Sequence, residues 1–307
     1  MANPIVVVGS SNTDMIIKLD RIPRPSETVI GGDFSTSPGG KGGNQAVAAA
    51  RAGGSVALVA KVGQDMFGVQ AVHGFVKDGI DVSFVFKDNV TPSGVALIFV
   101  DKNGENSIAV ASGANAHLSP ADIETARAAI TAAKLVVLQL ETPIETIKAA
   151  AIMAATNGAR VILNPAPAQP LDDELLQHVS ILTPNETEAE ILTGIKADTD
   201  ATVAQAAQVL LARGVQTVIL TLGARGAFVA TAATSFLIPG FKVTAVDSTA
   251  AGDIFNGALA VALAEDSPLA EAVRFANAAA AISVTKMGAQ LSIPHRNEIN
   301  RFIKAQG

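Results

Sequence analysis

Short apolar runs alternate along this chain with stretches of helical length, and this alternation restricts the possible folds more than any other feature. The apolar runs lie at Ile5–Val8, Val56–Val59, Leu135–Leu140, Val161–Leu163, Ile181–Leu182 and Val218–Leu222. The helical stretches lie at Gly42–Ala52, Pro120–Ala133, Ile144–Thr156 and Thr202–Arg213. Continuous apolar strands are typical of a parallel sheet that helices cover on both faces. The sequence therefore predicts an α/β fold, a doubly wound three-layer α/β/α sandwich around a mostly parallel sheet.

Two segments interrupt this alternation and carry strand-like pieces of their own. They are Asp14–Phe34 and Ser93–Ser112, and the second contains an Asn103-Gly104 pair that favours a hairpin turn. We expect pieces of about residues 14–36 and 91–112 to pair into a small inserted β-sheet over one end of the main sheet, where α/β proteins bind ligands. This small sheet would act as a lid, and the alternative is a set of edge strands without function.

The composition supplies enough apolar material for one large core. Of the 307 residues 49% are hydrophobic and 16% are charged, which fits a single α/β domain over residues 1–307. The absence of cysteine excludes disulfides, thiolate metal sites and cysteine nucleophiles. A reducing cytoplasm is the natural compartment for such a chain.

Charge and hydropathy argue against two kinds of partner. A net charge of −6 gives no positive field for nucleic acid, and without Trp or Tyr any base stacking would depend on Phe alone. No basic segment precedes an apolar signal core near Met1, and no apolar run reaches the about 18 residues that span a bilayer. We therefore expect a cytoplasmic protein that binds neither nucleic acid nor membrane.

A turn of small residues within Asp247–Gly257 carries the strongest chemical signal. We expect a strand over Gly240–Val246 before it and a helix over Ile254–Ala264 after it. Such a turn leaves the first backbone N–H groups of the helix unpaired, and the helix dipole favours an anion beside them. The turn therefore predicts a phosphate site.

The residues of that site follow from the same turn. The expected donors are the amides of Ala250, Ala251, Gly252 and Asp253. A carboxylate is a poor phosphate ligand, but it can accept the proton of a hydroxyl that attacks phosphorus. Asp253 is therefore a candidate base, and the alternative is that it only caps the helix.

A second glycine-rich element lies in Ser37–Asn44, where four glycines surround Lys41. Glycines let the backbone approach a ligand closely, and Lys41 and Asn44 could donate hydrogen bonds to a hydroxylated molecule. The loop is not a P-loop because no Ser or Thr follows the lysine. It also opens no first βα turn of a Rossmann unit, which argues against a nicotinamide dehydrogenase.

With both glycine-rich elements in this order, the sequence resembles the ribokinase-like carbohydrate kinase family over essentially the whole chain. The matching segments are Val7–Asp14, Gly39–Asn44, Gln139–Glu141, Asn164–Pro167, Thr183–Glu188, Thr221–Gly223 and Asp247–Gly257. The resemblance implies ATP-dependent phosphorylation of D-ribose at its 5-hydroxyl, which gives ribose 5-phosphate and ADP. The alternatives are 2-deoxyribose or another sugar or nucleoside as acceptor, and a sugar-binding protein without catalysis.

The resemblance also implies roles for individual residues. Asp253 would be the base, and the amides of Ala250, Ala251 and Gly252 would form an anion hole. The implied sugar contacts are Asn12, Asp14, Gly40, Lys41, Asn44, Glu141 and Asp253. Asn12 and Asp14 are equally common as plain turn residues.

For the nucleotide, the resemblance implies that Asn185 and Glu188 organise Mg²⁺ and phosphate. The same pair could form a capping box at a helix start, and the two roles are compatible. The remaining implied ATP contacts are Thr221, Gly223, Gly226, Gly252 and Asn277. A monovalent cation, normally K⁺, is implied at oxygen atoms of Asp247, Thr249, Ser283, Lys286 (through its backbone carbonyl), Gly288 and Ser292.

The expected lid suggests an assembly. Val95, Leu97 and Phe99 would lie beside Met15 and Ile17 on one apolar face, which is costly in water. A second copy of the chain could cover it, and the resemblance implies dimers of this kind. The sequence therefore predicts a homodimer formed through the lid sheet, with a small-molecule sugar and ATP as ligands.

Overall fold

The computed structural model describes residues 4–306. The strands are β1 Pro4–Val8, β2 Asn12–Lys18, β3 Asp33–Gly39, β4 Ser55–Gly63, β5 Asp81–Asp88, β6 Gly94–Val100, β7 Asn106–Ala111, β8 Leu135–Leu138, β9 Arg160–Leu163, β10 Ile181–Leu182, β11 Thr217–Thr221, β12 Gly226–Thr231 and β13 Ser235–Pro239. The helices are α1 Lys41–Arg51, α2 Met66–Lys77, α3 Pro120–Thr125, α4 Arg127–Ala132, α5 Ile144–Thr156, α6 Asp173–Leu176, α7 Glu186–Thr193, α8 Asp200–Ala212, α9 Ala251–Ala264, α10 Leu269–Ser283, α11 Ala289–Ser292 and α12 Arg296–Ala305. Short 3₁₀ turns lie at Gly113–His117 and Gly223–Arg225.

The main sheet has nine strands in the order β13-β12-β11-β10-β9-β8-β1-β4-β5. Neighbours from β11 to β5 run parallel, and only β12 and β13 pair antiparallel. Ile5 and Val7 of β1 pack into a core layer with α1, α9 and α10. Val6 and Val8 pack into the opposite layer with α5 and α8. Both faces of the central strands are thus buried, which confirms the predicted three-layer sandwich.

A second sheet of four strands has the order β3-β2-β6-β7. β2 pairs parallel with β6, with Met15 opposite Leu97 and Ile17 opposite Phe99. The hairpin between β6 and β7 turns at Gly104, whose φ of 83° is one that glycine adopts readily. The predicted small sheet and its hairpin are therefore present, and β2 enters it directly from the end of β1.

The prediction of a strand over Gly240–Val246 is wrong, because these residues form no strand. The edge strand β13 ends at Pro239, which pairs with Gly226, the first residue of β12. Beyond that point the sheet offers no strand to pair with. The chain instead turns towards the end of α10, where the amides of Val246 and Asp247 donate to the Val284 carbonyl at 2.7 and 3.1 Å.

Several predicted boundaries also differ, and two of these differences affect the packing or the site. The helix expected over Pro120–Ala133 is split into α3 and α4 by a bend at Ala126, whose ψ is 4°. The bend keeps both Ile123 and Ile130 fully buried against the sheet. The strand expected over Leu135–Leu140 ends at Leu138, and the residues that follow it leave the sheet towards the site.

Helices α1 and α9 lie in direct contact because of Gly257. A Cβ atom at this position would stand 2.6 Å from the Ala48 Cβ and 2.7 Å from the Gln45 carbonyl oxygen. No larger residue fits between the helices at this distance. The contact brings the first turn of α9 against the first turn of α1.

Within residues 4–306, no helix combines the length and hydropathy needed to cross a bilayer.

Candidate active site

The predicted site residues gather at one edge of the main sheet. Asn12 follows β1, Glu141 follows β8 and Asn185 follows β10, all on the side of the carboxyl ends. Parallel strands place their carboxyl ends at the same edge, where open α/β sheets bind ligands. The first turns of α1 and α9 face the same edge and contribute Lys41 and Asp253.

Asp253 is the third residue of α9, and its side chain is buried between α9 and α1. Its Oδ2 accepts a hydrogen bond from Asn44 Nδ2 at 3.0 Å, and its Oδ1 accepts one from Gln45 Nε2 at 2.9 Å. Within the described residues the carboxylate makes no capping hydrogen bond, and Ala250 is the N-cap residue. The alternative of a plain cap is therefore wrong, because Asp253 lies within the helix and its side chain turns towards α1.

Burial raises the pKa of the Asp253 carboxyl. The positive charge of Lys41 and the hydrogen bonds from Asn44 and Gln45 oppose this shift, whereas the charge of Glu141 adds to it. A carboxylate whose charged form is disfavoured binds a proton more readily than an exposed one. The environment thus increases the basicity of Asp253.

The turn before α9 offers three backbone donors and not the four predicted. Ala250 has left-handed backbone geometry, with φ of 60°, and this turns the chain back so that the Ala251 amide donates to the Ser248 carbonyl at 3.2 Å. In the part of the chain that the structure describes, the amides of Ala250, Gly252 and Asp253 have no hydrogen-bond partner. These donors at a helix N-terminus are suited to an anion.

Lys41 lies among acidic side chains on both sides of the site. Burial lowers its pKa, but the charges of Asp253, Glu141 and Glu188 outweigh this effect and raise it. The ammonium group therefore remains charged. Oε2 of Glu141 accepts hydrogen bonds from the Lys41 amide at 2.9 Å and from Ser10 Oγ at 2.5 Å. Glu141 thus holds the start of α1, and its Oε1 accepts no hydrogen bond from the residues that the structure describes.

Asn12 and Asp14 lie on β2, at the junction of the two sheets. Asn115 Nδ2 donates to Asn12 Oδ1 at 2.7 Å, and Asn115 Oδ1 accepts from the Ser11 amide at 2.8 Å. This arrangement leaves the Nδ2 donor of Asn12 for a ligand. The pKa of Asp14 is raised to about 6 by burial and by the charges of Glu141 and Asp253. A donor and an acceptor therefore lie two residues apart on one face of β2.

Asn185 and Glu188 form the capping box that the sequence suggested. Asn185 Oδ1 accepts from the Glu188 amide, and Glu188 Oε2 accepts from the Asn185 amide, both at 2.8 Å. Burial raises the pKa of Glu188, whereas the Asn185 amide and Lys41 lower it. Asn185 also pairs with Thr221, the last residue of β11. These three residues are thus brought together.

The other predicted nucleotide residues fall into two places. Gly223 and Gly226 bound the 3₁₀ turn after β11, close to Thr221, and both have positive φ. Asn277 lies elsewhere, on α10, where its Nδ2 donates to the Ile238 carbonyl at the end of β13 at 3.3 Å. Its side-chain amide is therefore hydrogen-bonded to the backbone of β13 in this structure.

The predicted cation ligands form a link between the turn and the end of α10. Asp247 Oδ1 accepts from the Thr249 amide and hydroxyl at 2.9 and 2.6 Å, and its Oδ2 accepts from the Gly288 amide at 2.8 Å. The Ser283 and Ser292 hydroxyls are buried and donate to nearby carbonyls.

Lys286 turns its ammonium group towards Glu298, with 3.2 Å between Nζ and Oε1, so only the backbone of Lys286 could face a cation.

Among residues 4–306 no three His, Asp or Glu side chains cluster as a metal site. Any divalent ion would therefore have to take much of its coordination from a ligand or from water.

Sequence reasoning missed the buried amides behind Asp253. Gln45, Gln139 and Asn164 are almost fully inaccessible and join Asp253 in one hydrogen-bonded network. It also missed Asn115, which orients Asn12. The only signal for Gln45 was a polar residue within an alanine-rich helix, and a single sequence does not show which side chain it meets.

Comparison with known proteins agrees with this geometry. Residues 2–296 match the pfkB family carbohydrate kinases. The chain belongs to this family, which confirms the resemblance seen in the sequence.

Individual relatives within this family are named as kinases of particular sugars. A ribokinase from Haemophilus influenzae is 46% identical over 304 residues, covering 99% of this chain and 99% of that protein. A deoxyribokinase from Salmonella typhi is 39% identical over 300 residues, covering 97% of this chain and 98% of that protein. The structure of Arabidopsis thaliana ribokinase complexed with ribose and ATP has a TM-score of 0.92 at 33% identity, covering 99% of each chain.

We predict that replacing Asp14 by Asn stabilises the sugar-free protein at pH 8. Folding raises the pKa of this carboxyl from 3.8 to about 6, so its ionised form destabilises the fold above about pH 6, and the penalty fades as the pH falls towards 3.8. The expected gain is on the order of 1–3 kcal/mol at pH 8 and much less at pH 4. Urea unfolding at both pH values measures it, and equal gains would contradict the assignment.

Proposed function

We propose that this chain phosphorylates D-ribose at its 5-hydroxyl, using ATP and releasing ADP. The observation that carries the proposal is the Asp253 carboxylate, held by Asn44 and Gln45 beside the unpaired amides at the start of α9. Support for ribose as the acceptor comes from the relative named ribokinase at 46% identity and from the similar structure that contains ribose and ATP.

Asp253 would accept the proton of the attacking hydroxyl as the new O–P bond forms and the bond to the ADP oxygen breaks. Because phosphoryl transfer has a loose transition state, the proton can leave late and positioning matters more than basicity. The amides of Ala250, Gly252 and Asp253 would donate to the transferring phosphoryl oxygens. Loss of one such donor costs roughly 10²–10³ in rate in other enzymes.

Asn12, Asp14 and Glu141 would hold the sugar, together with Gly40, Lys41 and Asn44. Asn12 presents an N–H donor because Asn115 occupies its oxygen, and Asp14 presents an acceptor. One hydroxyl can bind both. A site that hydrogen-bonds the 2-hydroxyl rejects a sugar that lacks it, since buried polar groups would be left unpaired. The relative named deoxyribokinase makes 2-deoxyribose the alternative acceptor.

We place the nucleotide against Asn185, Glu188 and Thr221, with Gly223 and Gly226 at its edge and Asn277 beyond β13. Glu188 Oε2 is taken by the Asn185 amide, and its Oε1 remains for water around Mg²⁺. One carboxylate near phosphate suits Mg²⁺, which usually keeps several waters. When bound, Mg²⁺ would neutralise charge on the β- and γ-phosphates.

We propose K⁺ as an activator beside the turn of residues 247–253. Asp247 ties this turn to Gly288 through its carboxylate, and the Ser283 and Ser292 hydroxyls, which donate to nearby carbonyls, keep lone pairs for a cation. Hard oxygen ligands suit an alkali cation. Bound there, K⁺ would order the amides that meet the phosphate. Equal rates with K⁺ and with tetramethylammonium would contradict this.

We also propose that residues 1–307 form one domain in which about residues 14–36 and 91–112 act as a lid and as a dimer surface. Phe34 and Leu97 lie on the face that carries Met15 and Ile17, and they are 65% and 45% exposed. A second copy could cover this face. ATP as co-substrate supports a cytoplasmic location. A monomeric mass in analytical ultracentrifugation would contradict the dimer.

We predict that D-ribose has the highest kcat/KM in a panel with 2-deoxyribose, D-fructose and adenosine. The reason is that the N–H donor of Asn12 and the carboxylate acceptor of Asp14 are left without hydrogen bonds when the sugar lacks a hydroxyl at that position. Release of ADP at saturating Mg²⁺ and ATP measures each acceptor. A preference for 2-deoxyribose would transfer the assignment to that sugar.

We predict that Asp253→Asn lowers kcat by about 10²–10⁴-fold because an amide cannot accept the hydroxyl proton. Ribose binding should persist, since Asn keeps the shape of the side chain, and calorimetric titration measures it. Asp266→Asn makes the same change at an exposed position and should leave kcat unaltered. An Asp253→Asn enzyme with normal kcat would rule out the proposed base.

A further inference from the structure

A chain of buried amides leads from the sheet to Asp253. Gln139 Nε2 donates to Gln45 Oε1 at 2.7 Å, and Gln45 Nε2 donates to Asp253 Oδ1 at 2.9 Å and to Asn164 Oδ1 at 3.1 Å. Gln45 is 0% exposed and Gln139 is 1% exposed. These two residues are therefore outside the reach of a sugar or a nucleotide.

The direction of these hydrogen bonds is fixed from both sides. An ionised carboxylate can only accept, so Gln45 has to turn its NH₂ group towards Asp253. Asn164 presents its oxygen to Gln45, because its own Nδ2 donates to the Thr183 carbonyl at 3.3 Å. Turning the Gln45 amide over would place its oxygen against two oxygens. Asp253 is thus held in one orientation by a donor with no alternative arrangement.

The space for Gln139 is provided by Gly9 at the end of β1. A Cβ atom on Gly9 would lie 2.1 Å from Gln139 Oε1, so this position has to be glycine if the amide is to sit here. Gln139 Oε1 has no hydrogen-bond partner among the described residues. A buried amide group costs free energy unless it is paired. Apolar side chains would fill this space at lower cost, which points to a role beyond packing.

A second branch of the network reaches the anion donors. Thr183 Oγ1 donates to Asn256 Oδ1 at 2.7 Å, and Asn256 Nδ2 donates to the Gly252 carbonyl at 2.8 Å. In a trans peptide the C=O and N–H groups point in opposite directions. Holding the Gly252 carbonyl therefore aims the amide of Asp253, in the same peptide unit, towards the site.

Asn44 and Gln45 differ in what they can do for Asp253. Asn44 Nδ2 binds Oδ2, and Asn44 is also a proposed sugar contact, so its position can change when a sugar binds. The hydrogen-bond partners of the Gln45 side chain among the described residues are Asp253, Asn164 and Gln139, and all three are buried. Gln45 can therefore hold the carboxylate in the same place before, during and after sugar binding.

We propose that Gln45, backed by Gln139, is the positioning residue that aims the Asp253 carboxylate at the acceptor hydroxyl. The inference rests on the proposed role of Asp253 and extends it to residues that touch no substrate. The branch through Thr183 and Asn256 does the same for the donor amide. Base and anion donors are thus fixed relative to each other by one network anchored in the sheet.

Gln45→Met removes the donor to Asp253 and keeps the length of the side chain. We expect kcat to fall by about 10- to 100-fold with little change in the KM for ribose, since small misplacements of reacting groups have effects of this size. Gln45→Glu still accepts from Gln139 but places a carboxylate against Asp253. We expect the acidic limb of its kcat profile to move to higher pH.

The charged groups that face Asp253 are Lys41, Glu141, Asp14 and Glu188, and all remain in these variants. A change in the pH profile would therefore come from position 45 itself. Loss of a buried hydrogen bond elsewhere would change stability without changing this profile.

Gln139→Met is the second test, because among the described residues the Gln139 side chain hydrogen-bonds to Gln45 and not to Asp253 or a proposed substrate residue. Loss of this donor leaves Gln45 Oε1 without its partner, so the amide is held only through its NH₂ group and can shift, although it cannot turn over. We therefore expect kcat to fall again while the KM for ribose stays the same. Thr146→Val on α5 is the matched control, since it removes a buried hydrogen bond to the Leu118 carbonyl. This control should lower stability and leave kcat unaltered.

The outcomes separate this inference from the proposed function. If Asp253→Asn is inactive while folded Gln45→Met and Gln139→Met retain kcat and pH profile within about twofold, the positioning role is wrong and the base remains. If Asp253→Asn is active, the proposed function itself fails. Should Gln45→Met not fold, Gln139→Met alone decides, and unchanged kcat would overturn the proposal.

Discussion

The contact between the first turns of α1 and α9 is the constraint on which the site depends. Gly257 lets the two helices touch, and the Asp253 carboxylate then lies against the amides of Asn44 and Gln45. Two segments more than two hundred residues apart in sequence are joined there by charge-assisted hydrogen bonds, which are stronger than neutral ones. Every proposed reacting group takes its position from this contact.

Charge in the site is arranged around Lys41. Asp253, Glu141 and Glu188 act on this one ammonium group, and Asp14 lies close to Glu141 and Asp253. Acidic groups therefore outnumber the basic one, and burial disfavours the ionised forms of Asp14, Asp253 and Glu188. Buried carboxylates cost stability by themselves, and this cost falls when hydroxyls donate to them. The groups that would bind a sugar therefore cost the empty protein stability, which is common at functional sites.

The sequence predicted much of the fold because its signals are local. Continuous apolar runs identify strands buried on both faces, and the Asn-Gly pair identifies the hairpin of the small sheet. The prediction failed where the outcome depends on a distant partner. Residues 240–246 have the apolar, β-branched composition of a strand, but β12, the neighbour of the edge strand β13, offers no residue beyond Gly226 for them to pair with. The Ala251 amide was expected to be free, and the left-handed geometry of Ala250 pairs it with Ser248.

What the sequence determined by itself was the class of fold, the two glycine-rich elements and the residue types that surround them. Backbone freedom, helix starts and hydrophobic periodicity are properties of neighbouring residues, and neighbours are visible in a sequence. Only the tertiary structure decided three hydrogen bonds: from Gln45 to Asp253, from Asn115 to Asn12, and from Asn277 to the backbone of β13. Those contacts join residues far apart in the chain, and hydrogen bonds depend on angstrom distances that the linear order of residues does not contain.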